Sequence, residues 1–245
     1  LEYIRTFLLG RMAWSRLNGL LIVSGAFGAF RKEIVIDAGG YDTRTVGEDM
    51  ELVVRMRRYM EERRLPYRIK YISDPLCWTE GPSNYKILGR QRSRWMRGTV
   101  ETLYAHRQMF LNPSYHLLGM LSYPYWFFFE LLAPVIEFTG FMVFCILAIL
   151  HMIAWAFFWK LLLFILGVGY LYSVFGILME VLTCNQYNKP RDTIRLLFTI
   201  FMEPFLFHPF IVWSSMKGLV ELFRKKTGWG EMTRKGFQRD SIVAK

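Results

Sequence analysis

The sequence predicts an α/β layer fold over its first part, followed by an α-helical transmembrane region. Three observations carry that expectation. Charge is segregated: residues 1 to about 112 hold most of it, residues from about 115 to 217 are largely Leu, Phe, Ile, Val, Met and Trp, and the tail from Arg224 is basic. Helical and extended patterns alternate through the first hundred residues, as in a layered α/β arrangement. Apolar stretches then reach the roughly 20 residues that a bilayer crossing needs.

In chain order, Leu20-Leu21-Ile22-Val23 reads as a buried strand. Ser24-Gly25-Ala26-Phe27-Gly28 follows as a small-residue turn that lets backbone approach closely. Lys32 to Ala38 fits a short helix stopped by Gly39-Gly40. Glu48 to Arg64 fits an amphipathic helix, with Leu52, Val53, Met56 and Met60 on one face and Arg55, Arg57, Arg58, Glu61 and Glu62 on the other. Pro66 ends it. Ile69 to Ile72 and Leu76 to Thr79 read as strands, and Tyr85 to about Met109 as a long basic helix.

Beyond this the chain reads as membrane. About Leu131–Met152, Phe157–Leu182 and Ile194–Met216 are candidate spans. About Leu117–Glu130, rich in Tyr, Trp and Phe, fits an interfacial segment or a half-span ending near Pro134. Lys and Arg collect in loops that stay inside. The soluble part and the basic tail (Arg224, Lys225, Lys226, Arg234, Lys235, Arg239) therefore share the cytoplasmic side, which requires an even number of crossings. Either the fourth stretch crosses, or Ile194–Met216, broken at Glu203-Pro204 and His208-Pro209, lies along the interface. The resulting division is 1–112 soluble, 113–217 transmembrane and interfacial, and 218–245 a basic tail.

Composition agrees. With 245 residues, 53% hydrophobic and 17% aromatic, and a mean hydropathy of +0.21, the chain is too apolar for one ordinary soluble domain and too charged for a pure membrane bundle. Its net charge of +11 fits a cytoplasmic membrane face better than nucleic acid. Cys77, Cys145 and Cys184 are isolated, and His106, His116, His151 and His208 lie far apart, so neither set has zinc-site spacing. The chain begins with Leu1 and shows no signal-peptide pattern; it reads as a piece of something longer.

Four places can carry chemistry. Gln91, Arg94 and Trp95 stand at i, i+3 and i+4 and so share one helical face. A guanidinium there suits a diphosphate, and an indole suits the apolar face of a sugar. The same three residues also fit a helix lying on anionic lipid. Gly47-Glu48-Asp49 opens a helix, where the dipole alone favours acidic residues and where a carboxylate can also act as a general base. Ser24 and Gly25 lie in the small-residue turn. Trp229 and Arg234 lie in the basic tail, which also fits a juxtamembrane segment held by lipid.

The order of these pieces resembles the family 2 glycosyltransferases, in particular the cellulose synthase, hyaluronan synthase and poly-N-acetylglucosamine synthase group. Gly39-Gly40-Tyr41-Asp42, Gly47-Glu48-Asp49, Trp78-Thr79-Glu80 and Gln91-Arg92-Ser93-Arg94-Trp95 precede the membrane spans. The family's Q-x-x-R-W and T/G-E-D motifs are matched in full. The resemblance implies the acceptor half of a GT-A-type domain, with Asp49 as the general base and Glu48 beside it. It implies that Gln91 and Arg94 hold the nucleotide diphosphate, that Trp95 stacks on the acceptor sugar, and that Ser24 and Gly25 line the acceptor site. It further implies that Trp229 and Arg234 belong to a segment closing over the nucleotide.

The implied activity is inverting transfer from a UDP-sugar to a growing β-linked polysaccharide. The enzyme would be a multi-pass cell-membrane protein, with an export or accessory subunit as a further partner. The family's donor half comes earlier in the chain and carries an Asp-x-Asp metal site. No Asp-x-Asp occurs in residues 1–245. Mg2+ or Mn2+ is thus expected for the full-length enzyme with ligands outside this chain, and the isolated chain is expected to be inactive. Single-sugar transfer to a lipid carrier and a non-catalytic membrane subunit are the competing readings.

Overall fold

The computed structural model describes residues 2–22, 28–73, 80–183 and 190–224. A π-helical stretch, Ile4–Gly10, runs into α1 (Arg11–Arg16). Then come α2 (Lys32–Asp37), α3 (Glu48–Glu62) and α4 (Tyr85–Ala105). Three long apolar helices complete the fold: α5 (Leu118–Ile149), α6 (Trp155–Thr183) and α7 (Pro190–Phe223).

Local chemistry explains the boundaries. Gly39 and Gly40 stop α2 with φ of +96° and +68°, the left-handed region that glycine enters without a Cβ clash. The Asn84 side chain caps α4 by accepting from the Ile87 N–H at 2.9 Å, which satisfies one of the donors a helix start leaves open. Met50, Leu52, Val53, Val54, Met56 and Met60 of α3 are all buried, each contributing about 1.5–3 kcal/mol by leaving water. Leu21, Val54, Leu103, Met109, Tyr115, Leu118, Tyr123 and Trp126 form the central core, so α3, α4 and the start of α5 share one apolar centre.

The expected α/β character is not found: among the described residues there is no strand. Leu20 and Leu21 are buried as expected, but the backbone around them is held by side chains instead of a ladder. The buried Arg57 guanidinium donates to the Leu20 and Asn18 carbonyls. In the Ile69–Ile72 segment, the Ile69 N–H donates to Asn18 Oδ1 at 3.0 Å and the Tyr71 N–H to Ser15 Oγ at 2.8 Å. An extended segment becomes a strand only where another strand meets its backbone groups. Leu76 to Thr79, the third expected strand, lies outside the described residues.

The membrane region differs from expectation at its start. Leu117–Glu130 is not a separate segment; it runs unbroken into the first span, with π-helical turns at Leu118–Ser122 and Trp126–Leu132. The 32 residues of α5 measure about 48 Å at 1.5 Å per residue, against a hydrocarbon core of about 30 Å. Pro204 and Pro209 lie inside α7 without ending it. Arg5 bridges the layers: it donates to Ser173 Oγ of α6 at 2.7 Å and forms an ion pair with Glu203 of α7.

Candidate functional site

The site is built where α3 begins against the middle of α4. The Val46 N–H donates to Glu101 Oε2 of α4 at 2.8 Å, and the Gly47 N–H to Thr45 Oγ1 at 3.0 Å. Gly47 then touches α4 at Gly98. A Cβ on either glycine would stand 2.9 Å from the other's Cα, closer than real side chains come. Two bare backbones thus make the contact that seats Gly47-Glu48-Asp49 on the helix carrying Gln91, Arg94 and Trp95.

Electrostatics follow from that seat. Burial lowers the pKa of Arg94, while Glu48 and Asp49 work against the fall. Both carboxylates are therefore charge neighbours of this guanidinium, at a helix start whose dipole also favours them. Asp49 Oδ1 accepts from the Met50 N–H at 2.9 Å. Gln91 Oε1 is buried with no hydrogen-bond partner among the described residues. The Arg92 guanidinium lies 4.5 Å from the Trp95 ring centroid and is gripped by Glu2 through contacts of 2.7 and 2.5 Å. One face of the Trp95 indole is thereby occupied by the protein itself.

Of the residues expected from sequence, Glu48, Asp49 and Arg94 are brought together, and Gln91 and Trp95 share the Arg94 face of α4. Ser24, Gly25, Trp229 and Arg234 lie outside the described residues. Among the described residues no group of three His, Cys, Asp or Glu side chains could hold a metal ion. Glu48 and Asp49, the adjacent acidic pair, are set against Arg94, so they do not fit a divalent-cation site.

Two features escaped the sequence reading. Arg11, buried in the first helix, has its pKa pushed down to about 10 by burial, against the opposing influence of Tyr71, Glu130, Tyr3 and Asp49. A lone Arg in the run Phe7-Leu8-Leu9-Gly10-Arg11-Met12 was the available signal. Behind Asp49, Glu51 and His106 are 4% and 2% exposed. Glu51 Oε1 meets His106 Nε2 at 3.0 Å, and its Oε2 accepts from Arg55 at 2.6 Å. Arg58 donates to His106 Nδ1 at 3.1 Å. Because Arg only donates, Nδ1 carries the lone pair and Nε2–H points at Glu51. This network joins the first turn of α3 to the end of α4.

The chain matches the family model described as glycosyl transferase family group 2 over residues 4–214. The probable glycosyltransferase YdaM of Bacillus subtilis is 32% identical over 89 residues, which is 36% of this chain and 19% of that protein. The poly-beta-1,6-N-acetyl-D-glucosamine synthase of Staphylococcus aureus (strain COL) is 36% identical over 81 residues, 33% of this chain and 18% of that protein. The chain thus covers about a fifth of the length of these relatives. No solved structure matches it significantly.

Proposed function

The chain belongs to glycosyl transferase family group 2, and from that premise we propose that it forms the acceptor side of a membrane enzyme that extends a β-linked polysaccharide from a UDP-sugar. The observation that carries this reading is the Gly47–Gly98 contact. It puts a carboxylate turn beside the arginine that a departing diphosphate needs. In this reading the acceptor hydroxyl attacks C1 of the donor sugar. Its oxygen bonds to C1 as the bond from C1 to the phosphate oxygen breaks, with inversion. Asp49 takes the hydroxyl proton, and the electron pair leaves with the diphosphate. Arg94 and the amide N–H of Gln91 act at the donor end, donating where negative charge grows in the transition state; one such contact is worth on the order of 10²-fold in rate. Trp95, backed by Arg92, offers the acceptor sugar a flat apolar face.

The donor pocket and the divalent ion that the resemblance implies belong, in this reading, to residues other than 1–245. No step here is drawn through a metal, and the isolated chain is expected to release no nucleotide diphosphate. We also infer that α5 and α6 cross the bilayer while α7 lies at its surface. The second half of α7 packs along α4, through Phe210 on Tyr85 and Gly218 on Ser93, which keeps it with the catalytic helices and makes the number of crossings even.

The test is Asp49→Asn in the full-length enzyme. Polymer formation is expected to disappear while UDP binding persists. Polymer made at the normal rate would remove Asp49 from the role of base. Product length on a gel separates polymer extension from single transfer to a lipid.

A further inference from the structure

The back of α4 is as ordered as its front. Tyr85, Gly89, Ser93 and Arg97 recur every fourth residue and line one side of the helix. Gln91, Arg94, Trp95 and Gly98 line the other side. The back rests on α7 in parallel register. Tyr85 stands edge-on to Phe210 with centroids 5.0 Å apart, Gly89 lies under Phe210 and Ser214, and Ser93 lies under Gly218.

A polar lock closes this seam. The Ser93 hydroxyl donates to Glu221 Oε2 at 2.6 Å, and Arg97 Nε stands 4.0 Å from the same oxygen. Ser93 is 2% exposed, so this bond forms away from bulk water, where hydrogen bonds to a charged group are strongest. Gly218 prevents a change of register: a Cβ there would stand 2.6 Å from the Ser93 carbonyl oxygen. The backbones are already as close as they can be.

We propose that Glu221 is a positioning residue: by holding Ser93, which sits between Arg92 and Arg94, it fixes the rotation of α4 so that Arg94 faces Glu48 and Asp49, with Gln91 on the same side of the helix. This rests on the functional reading above. A turn of α4 by about 20° carries a side-chain tip, at a radius of about 5–6 Å, through about 2 Å. A misplacement of about 1 Å can cost about 10²-fold in rate. A carboxylate far along the chain thus acts on the chemistry through its hold on α4, at Ser93 and beside Arg97.

The experiment uses the full-length enzyme in membranes, with UDP release from UDP-N-acetylglucosamine and from UDP-glucose measured per amount of folded enzyme. Ser93→Ala and Glu221→Ala are each expected to lower kcat about tenfold or more and to leave the donor KM within about twofold. The double variant is expected to be no worse than the worse single one, as for two ends of one interaction. Glu221→Gln, which still accepts through its amide oxygen, is expected to stay within about threefold of wild type. A structural role alone would lower the amount of folded enzyme and not the turnover of what remains. Arg94→Ala serves as the reference. If it is inactive while Ser93→Ala and Glu221→Ala turn over normally, or if their losses simply add, the positioning role is overturned. If Arg94→Ala turns over normally, or wild type uses neither donor, the functional reading fails and this inference goes with it. Should Glu221→Ala not accumulate, Ser93→Ala alone and combined with Glu221→Gln closes the same cycle.

Discussion

Two hydrogen atoms in place of side chains, at Gly47 and Gly98, let the carboxylate turn reach the arginine helix. Gly47→Ala or Gly98→Ala puts a methyl 2.9 Å from the opposing Cα. Overpacking of this kind costs about 1–3 kcal/mol, so the thermal inactivation midpoint and turnover should both fall. Gly140→Ala, with nothing within 4 Å of its new Cβ, should change neither; equal effects at the three positions would refute the contact. Glu51 makes a separate prediction. Burial raises its pKa, but the hydrogen bond from His106 and the charge and hydrogen bond of Arg55 outweigh that and leave it below the ordinary 4.5. A carboxyl whose folded pKa is depressed stabilises at every pH above its unfolded value, and the stabilisation is lost as pH falls through the folded one. The difference in thermal midpoint between wild type and Glu51→Gln should therefore hold from pH 8 to pH 6 and close only below about 4.5. A difference already gone at pH 6 would show that the His106–Glu51 tie does not stabilise this fold.

At the scale of elements, α4 is the hub. Its front carries the motif residues toward α3, its back rests on α7, and Arg92 on its flank reaches Glu2 of the N-terminal turn. A 21-residue helix engaged on three sides cannot turn without disturbing a partner, which is why a substitution on α7 is expected to be felt at Arg94. The hub was half legible in the sequence. The shared face of Gln91, Arg94 and Trp95 follows from 3.6 residues per turn, as does the apolar face of α3, although Arg57, read onto its polar face, is buried; the stop at Gly39-Gly40 follows from glycine's freedom to take positive φ. The back face could not be read, because Tyr85, Gly89, Ser93 and Arg97 have no common polarity to mark them. Gly218 and Glu221 are unremarkable until something is packed against them. The expected strands failed for the same kind of reason: their apolar pattern reports burial, and burial is what Leu20 and Leu21 have, but pairing depends on a neighbour.

For the whole molecule, the proposed arrangement of the long helices in the bilayer makes a direct labelling prediction. The proposed topology, with α5 and α6 crossing and α7 at the surface, puts the 151–154 loop on the side opposite to the 41–46 loop and to Arg224. In a variant lacking Cys77, Cys145 and Cys184, a cysteine at His151 should react with an impermeant maleimide from outside intact cells. Cysteines at Arg44 and Arg224 should react only after the membrane is opened. Labelling of Arg224→Cys from outside would mean that α7 crosses too. The sequence by itself determined the charged and apolar halves, the membrane character, the helix faces and the two motifs. These depend on composition and on periodicity within one element, which are local. Only the tertiary structure decided that Gly47 meets Gly98, that Glu51 is tied to His106, that Ser93 is held by Glu221, and that the first long helix begins at Leu118. Each of these is a contact or a continuity between segments far apart or differently patterned, and its energy exists only once the chain has folded.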